Sequence, residues 1–194
     1  MKSVCVYCSS SSRVLPAFIE EAHALSRALS RAGLELVYGG ADVGLMGIVA
    51  AGVKDGGGRV TGVIPEKLAR LGWKGCDELV VTPDMRSRKQ VMEERSDGFV
   101  TLPGGFGTLE EALEIITLKQ LQYHAKPVVL VNTAGFFDPL AAMFERIYTD
   151  GFARREFSSL YHLAHSSDEA VDYLMVYSPP PPIQKWGMER TAGG

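Results

Sequence analysis

The sequence predicts a doubly wound α/β domain, a parallel sheet with helices on both faces. Three observations carry that expectation. Short runs rich in β-branched residues alternate with longer segments of helical periodicity almost from end to end. Two glycine-rich turns stand where such a run gives way to a helical segment, after Tyr38 and after Leu102. At 194 residues the chain is long enough for one well-buried domain and short for two.

Taken in order, the first strand is expected over residues 3–7, where Val4, Cys5 and Val6 follow directly on the N-terminus, and a helix over 17–32. A second strand, 34–38, leads through Gly39 and Gly40 into a helix over 44–54, and a third, 59–64, into a weak helical segment at 66–71. A fourth strand, 78–81, precedes Pro83 and Asp84, which read as a helix start with Asp84 as cap and a helix over 84–95. Strand 98–102 feeds Pro103-Gly104-Gly105-Phe106-Gly107-Thr108-Leu109-Glu110-Glu111 and an amphipathic run over 109–121. Strands at 127–131 and 161–164, with helices at 139–150 and 167–176, complete a domain spanning residues 1–177. Pro179 to Pro182 and the residues after them show no apolar periodicity, so residues 178–194 are expected to form a poorly ordered tail.

Composition excludes several classes. With 46% hydrophobic residues, 22% charged residues and a net charge of −3, the chain lacks the basic excess that a nucleic-acid backbone demands. No apolar run approaches the roughly 20 residues that span a bilayer, and the N-terminus enters a strand without a charged leader, so a cytoplasmic protein without a membrane partner is expected. Three cysteines argue against a disulfide framework. Cys5 and Cys8 have C-x-x-C spacing but fall on a strand, where residues three apart face opposite ways; Cys5 reads as core and Cys8 as a strand-end residue near the pocket. Neither a second cysteine pair nor H-E-x-x-H spacing occurs among His23, His124, His162 and His165, so no metal is expected.

In such sheets ligands bind at the carboxyl ends of the strands, which singles out three clusters. The stretch from Pro103 to Glu111 is a strand, a glycine turn and a helix start, an arrangement that lets backbone N–H groups and the positive end of the helix dipole meet a phosphate. Glu111, one turn inside, would then face another part of the ligand, such as ribose hydroxyls. Thr108 and Glu111 also spell a capping box, but a helix start needs one good cap and not three glycines, so ligand binding is the stronger reading. The turn from Gly39 to Gly47 departs from G-x-G-x-x-G spacing and follows the second strand, which argues against NAD and for a wall of a nucleotide pocket. Ser9, Gly39, Gly40, Met46 and Met85 are the expected wall residues, although core packing accounts for Met46 equally well. In the third cluster Arg86, Arg88 and Lys89 oppose the dipole of their own helix start, which calls for a compensating anion, a phosphate or Glu111. Arg88 shares a buried-looking face with Met85 and Met92 and needs a partner; for Arg86 and Lys89 a solvated face explains the charges as well.

Together the P-G-G-x-G-T-x-x-E of residues 103–111, the Met85-Arg86-Ser87-Arg88-Lys89 stretch and the Y-G-G-x-x-x-G-L-M-G of residues 38–47 resemble the LOG (LONELY GUY) family. These are cytokinin riboside 5′-monophosphate phosphoribohydrolases, long mislabelled as lysine decarboxylases. The resemblance spans about residues 4–153. It implies a Rossmann-like homodimer that hydrolyses the N-glycosidic bond of AMP and N6-modified AMP to free base and ribose 5-phosphate, without a cofactor. Carried over by motif, Gly104, Gly105, Phe106, Gly107 and Thr108 match the phosphate-binding turn, Arg88 and Glu111 the two catalytic positions, and Lys89 and Thr117 further substrate contacts. Many members carry His where this chain has Arg86, near the nucleobase side, a departure that bears on base preference.

The expected reaction passes through an oxocarbenium-like state, which a carboxylate beside the sugar stabilises; Glu111 is placed for that, for orienting water or for holding ribose hydroxyls. Glu110 cannot share the task, because adjacent helix residues diverge by about 100°. Arg88 keeps its proton and so would stabilise charge or position substrate and Glu111. The alternative is a carrier for a nucleotide or molybdenum cofactor, which needs the glycine turn but not the Arg88/Glu111 pair. A lysine decarboxylase would need a lysine set opposite a phosphate cup with an aromatic-ring partner, which nothing in the sequence places.

Overall fold

A computed structural model describes residues 1–181 and 183. Seven parallel strands form one sheet in the order β4-β3-β2-β1-β5-β6-β7, built from β1 Ser3–Tyr7, β2 Glu35–Tyr38, β3 Val60–Pro65, β4 Glu78–Thr82, β5 Gly98–Thr101, β6 Val128–Val131 and β7 His162–Ala164. The helices are α1 Pro16–Arg31, α2 Gly44–Asp55, α3 Met85–Glu94, α4 Phe106–Gln120, α5 Asp138–Thr149 and α6 Ser167–Val176. Segment 66–71 forms a 3₁₀ helix, as its weak periodicity allows.

The two faces bury different cores. Leu25 and Leu29 of α1, Leu45 and Val49 of α2 and Val171 and Leu174 of α6 cover one face. Met92 of α3 and Ile115 of α4 cover the other, where α5 adds Phe144 against Ala112 and Leu130. Burying each such side chain contributes roughly 1.5–3 kcal/mol. Cys5 packs with Met92 and Phe99 and Cys8 with the α1 and α2 side, opposite faces as strand geometry requires. All three thiols are free.

Strand order reverses between β1 and β5: from β1 the chain builds outward to β4, then returns to lay β5 against the other side of β1. The crevice outside the carboxyl ends of these two strands is where a doubly wound sheet holds its ligand. Ser9 follows β1 and Pro103 follows β5, so topology alone brings the predicted clusters together.

One boundary differs in a way that matters. α4 begins at Phe106, three residues before the expected start, with Gly105 at the N-cap and no side chain capping it. Thr108 and Glu111 therefore lie inside the helix, and the capping box that their spacing also permits does not form. The turn is complete within residues 102–105, and Phe106 and Gly107 already take helical geometry. The expected tail lies partly outside the described residues, at 182 and 184–194.

Candidate active site

At its centre is a buried ion pair. α3 is started by Asp84, whose carboxylate accepts from the N–H groups of Arg86 and Ser87, both at 2.8 Å. That start aims Arg88 inward. Its Nη1 donates to Glu111 Oε1 at 2.7 Å, and its Nε donates to the backbone carbonyl of Val63 on β3 at 3.0 Å. Arg88 is 7% exposed and Glu111 9%, so each charge depends on the other. Burial pushes the Glu111 carboxyl above its ordinary pKa, while the adjacent guanidinium opposes that rise. Burial likewise pushes the Cys5 thiol to about 12 and the Tyr7 hydroxyl well up, leaving both neutral beneath the pair.

The helix start beside this pair is open. The first α-helical bond of α4 runs from Leu109 N–H to Gly105 carbonyl at 3.0 Å, so the N–H groups of Phe106, Gly107 and Thr108 precede the ladder. A Cβ on Gly104 would fall 2.2 Å from Thr108 Oγ1, which folds back over it, whereas a Cβ on Gly105 or Gly107 would meet nothing within 4 Å. Neither of these two glycines has a positive φ. Their missing side chains answer no demand of the protein itself; they leave space over a positive helix end, as an anion would need. Phe106 projects from the same turn and is 94% exposed.

The loops that follow β1 and β2 pack against each other near this pair. Ser9 carbonyl accepts from Leu45 N–H at 2.9 Å, and its hydroxyl accepts from Ser11 N–H at 3.0 Å. Gly40 and Gly44 have φ of +76° and +55°, and a Cβ on Gly44 would lie 2.5 Å from the Ser10 carbonyl carbon, so the two loops touch only because glycine stands there. Gly39 has a different task. A Cβ there would sit 2.2 Å from Arg88 Nη2 and 2.9 Å from Met46 Cε, which places the tip of Met46 beside the guanidinium. Met46 packs against the core, and its tip lies next to Arg88.

Lys89 sits between Glu110 and Glu114, with Glu114 at 2.9 Å. The anions called for by the basic turn are therefore carboxylates of α4: Glu111 for Arg88, and Glu110 with Glu114 for Lys89. Met85 lies at the outer edge, 46% exposed, unlike Met92 on the same helix, which is fully buried. Thr117 is not brought to the others. It is exposed, roughly 13 Å along the helix from Thr108, and its hydroxyl donates to the Leu113 carbonyl. Sequence reading missed the Val63 carbonyl, since any residue supplies that group, and the service of Gly39 to Arg88, for which the Y-G-G turn was the only signal.

A glycine-opened helix start at the switch point of a parallel sheet, next to a buried carboxylate, defines a Rossmann-like protein with a free helix N-terminus where such sheets take their ligands. Residues 46–174 match the family described as "Possible lysine decarboxylase". The chain is 41% identical over 177 residues to a probable cytokinin riboside 5′-monophosphate phosphoribohydrolase of Oryza sativa subsp. japonica, covering 90% of this chain and 79% of that protein. It is 39% identical to a cytokinin riboside 5′-monophosphate phosphoribohydrolase of Arabidopsis thaliana, covering 92% and 79%. The chain belongs to this family, the LOG phosphoribohydrolases. Among solved structures, the molybdenum cofactor binding protein of Rippkaea orientalis superposes with a TM-score of 0.69 at 20% identity, over 90% of this chain and 96% of that one. The Chlamydomonas reinhardtii molybdenum cofactor carrier protein gives 0.68 at 24%, over 90% and 95%. At these identities the likeness is one of fold.

Proposed function

We propose that this protein hydrolyses the N-glycosidic bond of AMP and N6-modified adenosine 5′-monophosphates, releasing free base and ribose 5-phosphate. The observation that carries the reading is the buried Arg88–Glu111 pair beside the open N-terminus of α4. In this reading the 5′-phosphate rests on the N–H groups of Phe106, Gly107 and Thr108, which sets the ribose over Glu111. As the C1′–N9 bond breaks, the electron pair leaves with the base and positive charge develops on the ribose, which the Glu111 carboxylate stabilises. Water adds its oxygen to C1′, and the departing base ends with a proton. Arg88, which keeps its own proton, holds Glu111 ionised and aimed.

We assign the pocket wall to Ser9, Gly39, Gly40, Met46 and Met85. We assign Lys89, held by Glu110 and Glu114, to a further substrate contact. We also infer a homodimer. The outward face of α4 carries Phe106, Leu113 and Leu121, and Thr117 lies on that face, where a second copy could bring it to a site. A cytoplasmic setting agrees with the three free thiols, and among the described residues no helix is long and apolar enough to cross a membrane. The net charge of −3 supports a small-molecule partner and not a nucleic acid. A cofactor carrier would use the same turn but gains nothing from burying a carboxylate beside a bound anion.

The test is incubation with AMP and with isopentenyladenosine 5′-monophosphate, separating the products, with Glu111→Gln alongside. Gln keeps the side-chain shape and still accepts from Arg88. Release of base by wild type, reduced at least ~10²-fold in the variant, is the expected result. Nucleotide binding without base release by either protein would replace the hydrolase with the carrier.

A further inference from the structure

Eight residues beyond Glu111, α4 carries a lysine that the proposed reaction does not use. Lys119 is 6% exposed, and its ammonium has no hydrogen-bond partner among the described residues. A lysine in the last turn of a helix is ordinarily explained by the helix dipole, but an exposed side chain serves that purpose without desolvation. Here the Nζ lies 4.9 Å from the ring centroid of Tyr177, whose own hydroxyl is also buried without a hydrogen-bond partner among the described residues. Burial lowers the Lys119 pKa to about 8, so the ammonium survives at neutral pH only at some cost.

The side chains of Lys119 and Tyr177 both line one cavity of about 760 Å3, at the end of α4 away from the glycine turn. That is ample for a small organic ligand. Phe157, Leu160 and Pro179 give it apolar walls. His124 forms a neutral, fully committed wall: its Nδ1 accepts from Lys126 N–H at 3.2 Å, its Nε2 lies 3.0 Å from the Ile115 carbonyl, and burial lowers its pKa to about 4. Gln122 donates to the Ile183 carbonyl at 3.1 Å, which holds the end of the described chain across the mouth. Lys119 is the one charged side chain among the described residues of the lining.

A single buried cation, a phenolic donor and apolar walls match one kind of ligand. A phosphate dianion would leave a charge uncompensated, and a neutral ligand would leave the ammonium as it is. We propose that this cavity is a second ligand site, which binds a small apolar monocarboxylate: the Lys119 and Tyr177 side chains turn so that Nζ and Oη meet its carboxylate, and its body rests against Phe157, Leu160 and Pro179. Such a ligand converts two unsatisfied buried donors into charge-assisted hydrogen bonds.

Calorimetric titration of the full chain with phenylacetate and with 4-methylpentanoate tests it, with phenylacetamide as the neutral counterpart. Saturable binding of at least one acid, at least tenfold tighter than the amide, is expected. Lys119→Met, which keeps length and apolarity, should weaken the acid at least tenfold, and Tyr177→Phe severalfold. Absence of saturable binding by both acids overturns the proposal, as does equal binding of the amide or an unchanged affinity in Lys119→Met. The acid-to-amide comparison uses wild type alone, so it decides the matter even where a variant fails to fold.

Discussion

Replacing Gly39 by alanine adds one methyl group, and the structure says what it meets. Gly39 does not adopt a positive φ, so alanine fits the backbone and the effect is steric. The new Cβ would lie 2.2 Å from Arg88 Nη2 and 2.9 Å from Met46 Cε. Non-bonded contacts settle near 3.5 Å or beyond, so the guanidinium must retreat by about 1 Å. Arg88 cannot retreat freely, because Nη1 is bound to Glu111 at 2.7 Å and Nε to the Val63 carbonyl at 3.0 Å. Overpacking costs about 1–3 kcal/mol and a charge-assisted hydrogen bond is worth about 1.5–3 kcal/mol. Partial relief by Met46 leaves a net loss of about 2–4 kcal/mol, and a chain of this size then melts about 4–16 °C lower. Displacing the pair by about 1 Å should lower kcat for base release from AMP by ~10²-fold. Thermal unfolding and steady-state kinetics on the same preparation check both figures. A Gly39→Ala protein with wild-type kcat and a melting temperature within about 2 °C would refute the idea that this glycine makes room for Arg88.

Gly107→Ala should behave in the opposite way: its Cβ meets no protein atom, and alanine is the better helix former, so stability should rise by roughly 0.5–1 kcal/mol while KM for AMP increases, read by thermal melts and kinetics. The pH dependence follows from burial of Glu111, which raises its folded pKa above the unfolded value. The stabilisation this implies relative to the ionised form is complete below the unfolded pKa and lost as pH rises through the folded one. The stability advantage of Glu111→Gln over wild type, whatever its absolute sign, should therefore shrink as pH falls from neutrality through that window, in melts at matched ionic strength. By the same shift, the acid limb of kcat/KM should fall at a pH above that of a free glutamate. Asp84→Ala removes the acceptor for two N–H groups and should lower the melting temperature by a few degrees. Leu113→Glu should dissociate the proposed dimer in sedimentation experiments without unfolding the chain, since that side chain faces outward.

Alternation of β-branched and amphipathic segments sufficed for the α/β class, and the glycine turns after β2 and β5 marked the loops that matter, because both are local signals that backbone chemistry writes directly into residue type. Arg88's need for a partner was also legible, since a cation between two methionines on one helical face cannot be left unpaired. Other features depend on what is near in space. Thr108 and Glu111 fit a capping box in sequence, and only the three-residue earlier start of α4 puts them inside the helix. The identity of the partners, Glu111 for Arg88 and Glu110 with Glu114 for Lys89, follows from α3 and α4 lying side by side on one face of the sheet. Met46 and Gly39 acquire their meaning at the same place, where a side chain from α3 needs the volume that a glycine after β2 leaves empty. Lys119, by contrast, reads in the sequence as an ordinary helix-end cation. Its burial beside Tyr177, 58 positions along the chain, is decided by packing alone, since Phe157, Leu160 and the residues that follow α6 are what close over the end of α4. Composition and periodicity thus determined which elements form and which loops carry glycine; the tertiary structure decided which charges meet, because ion pairing and burial depend on distance in space and not along the chain.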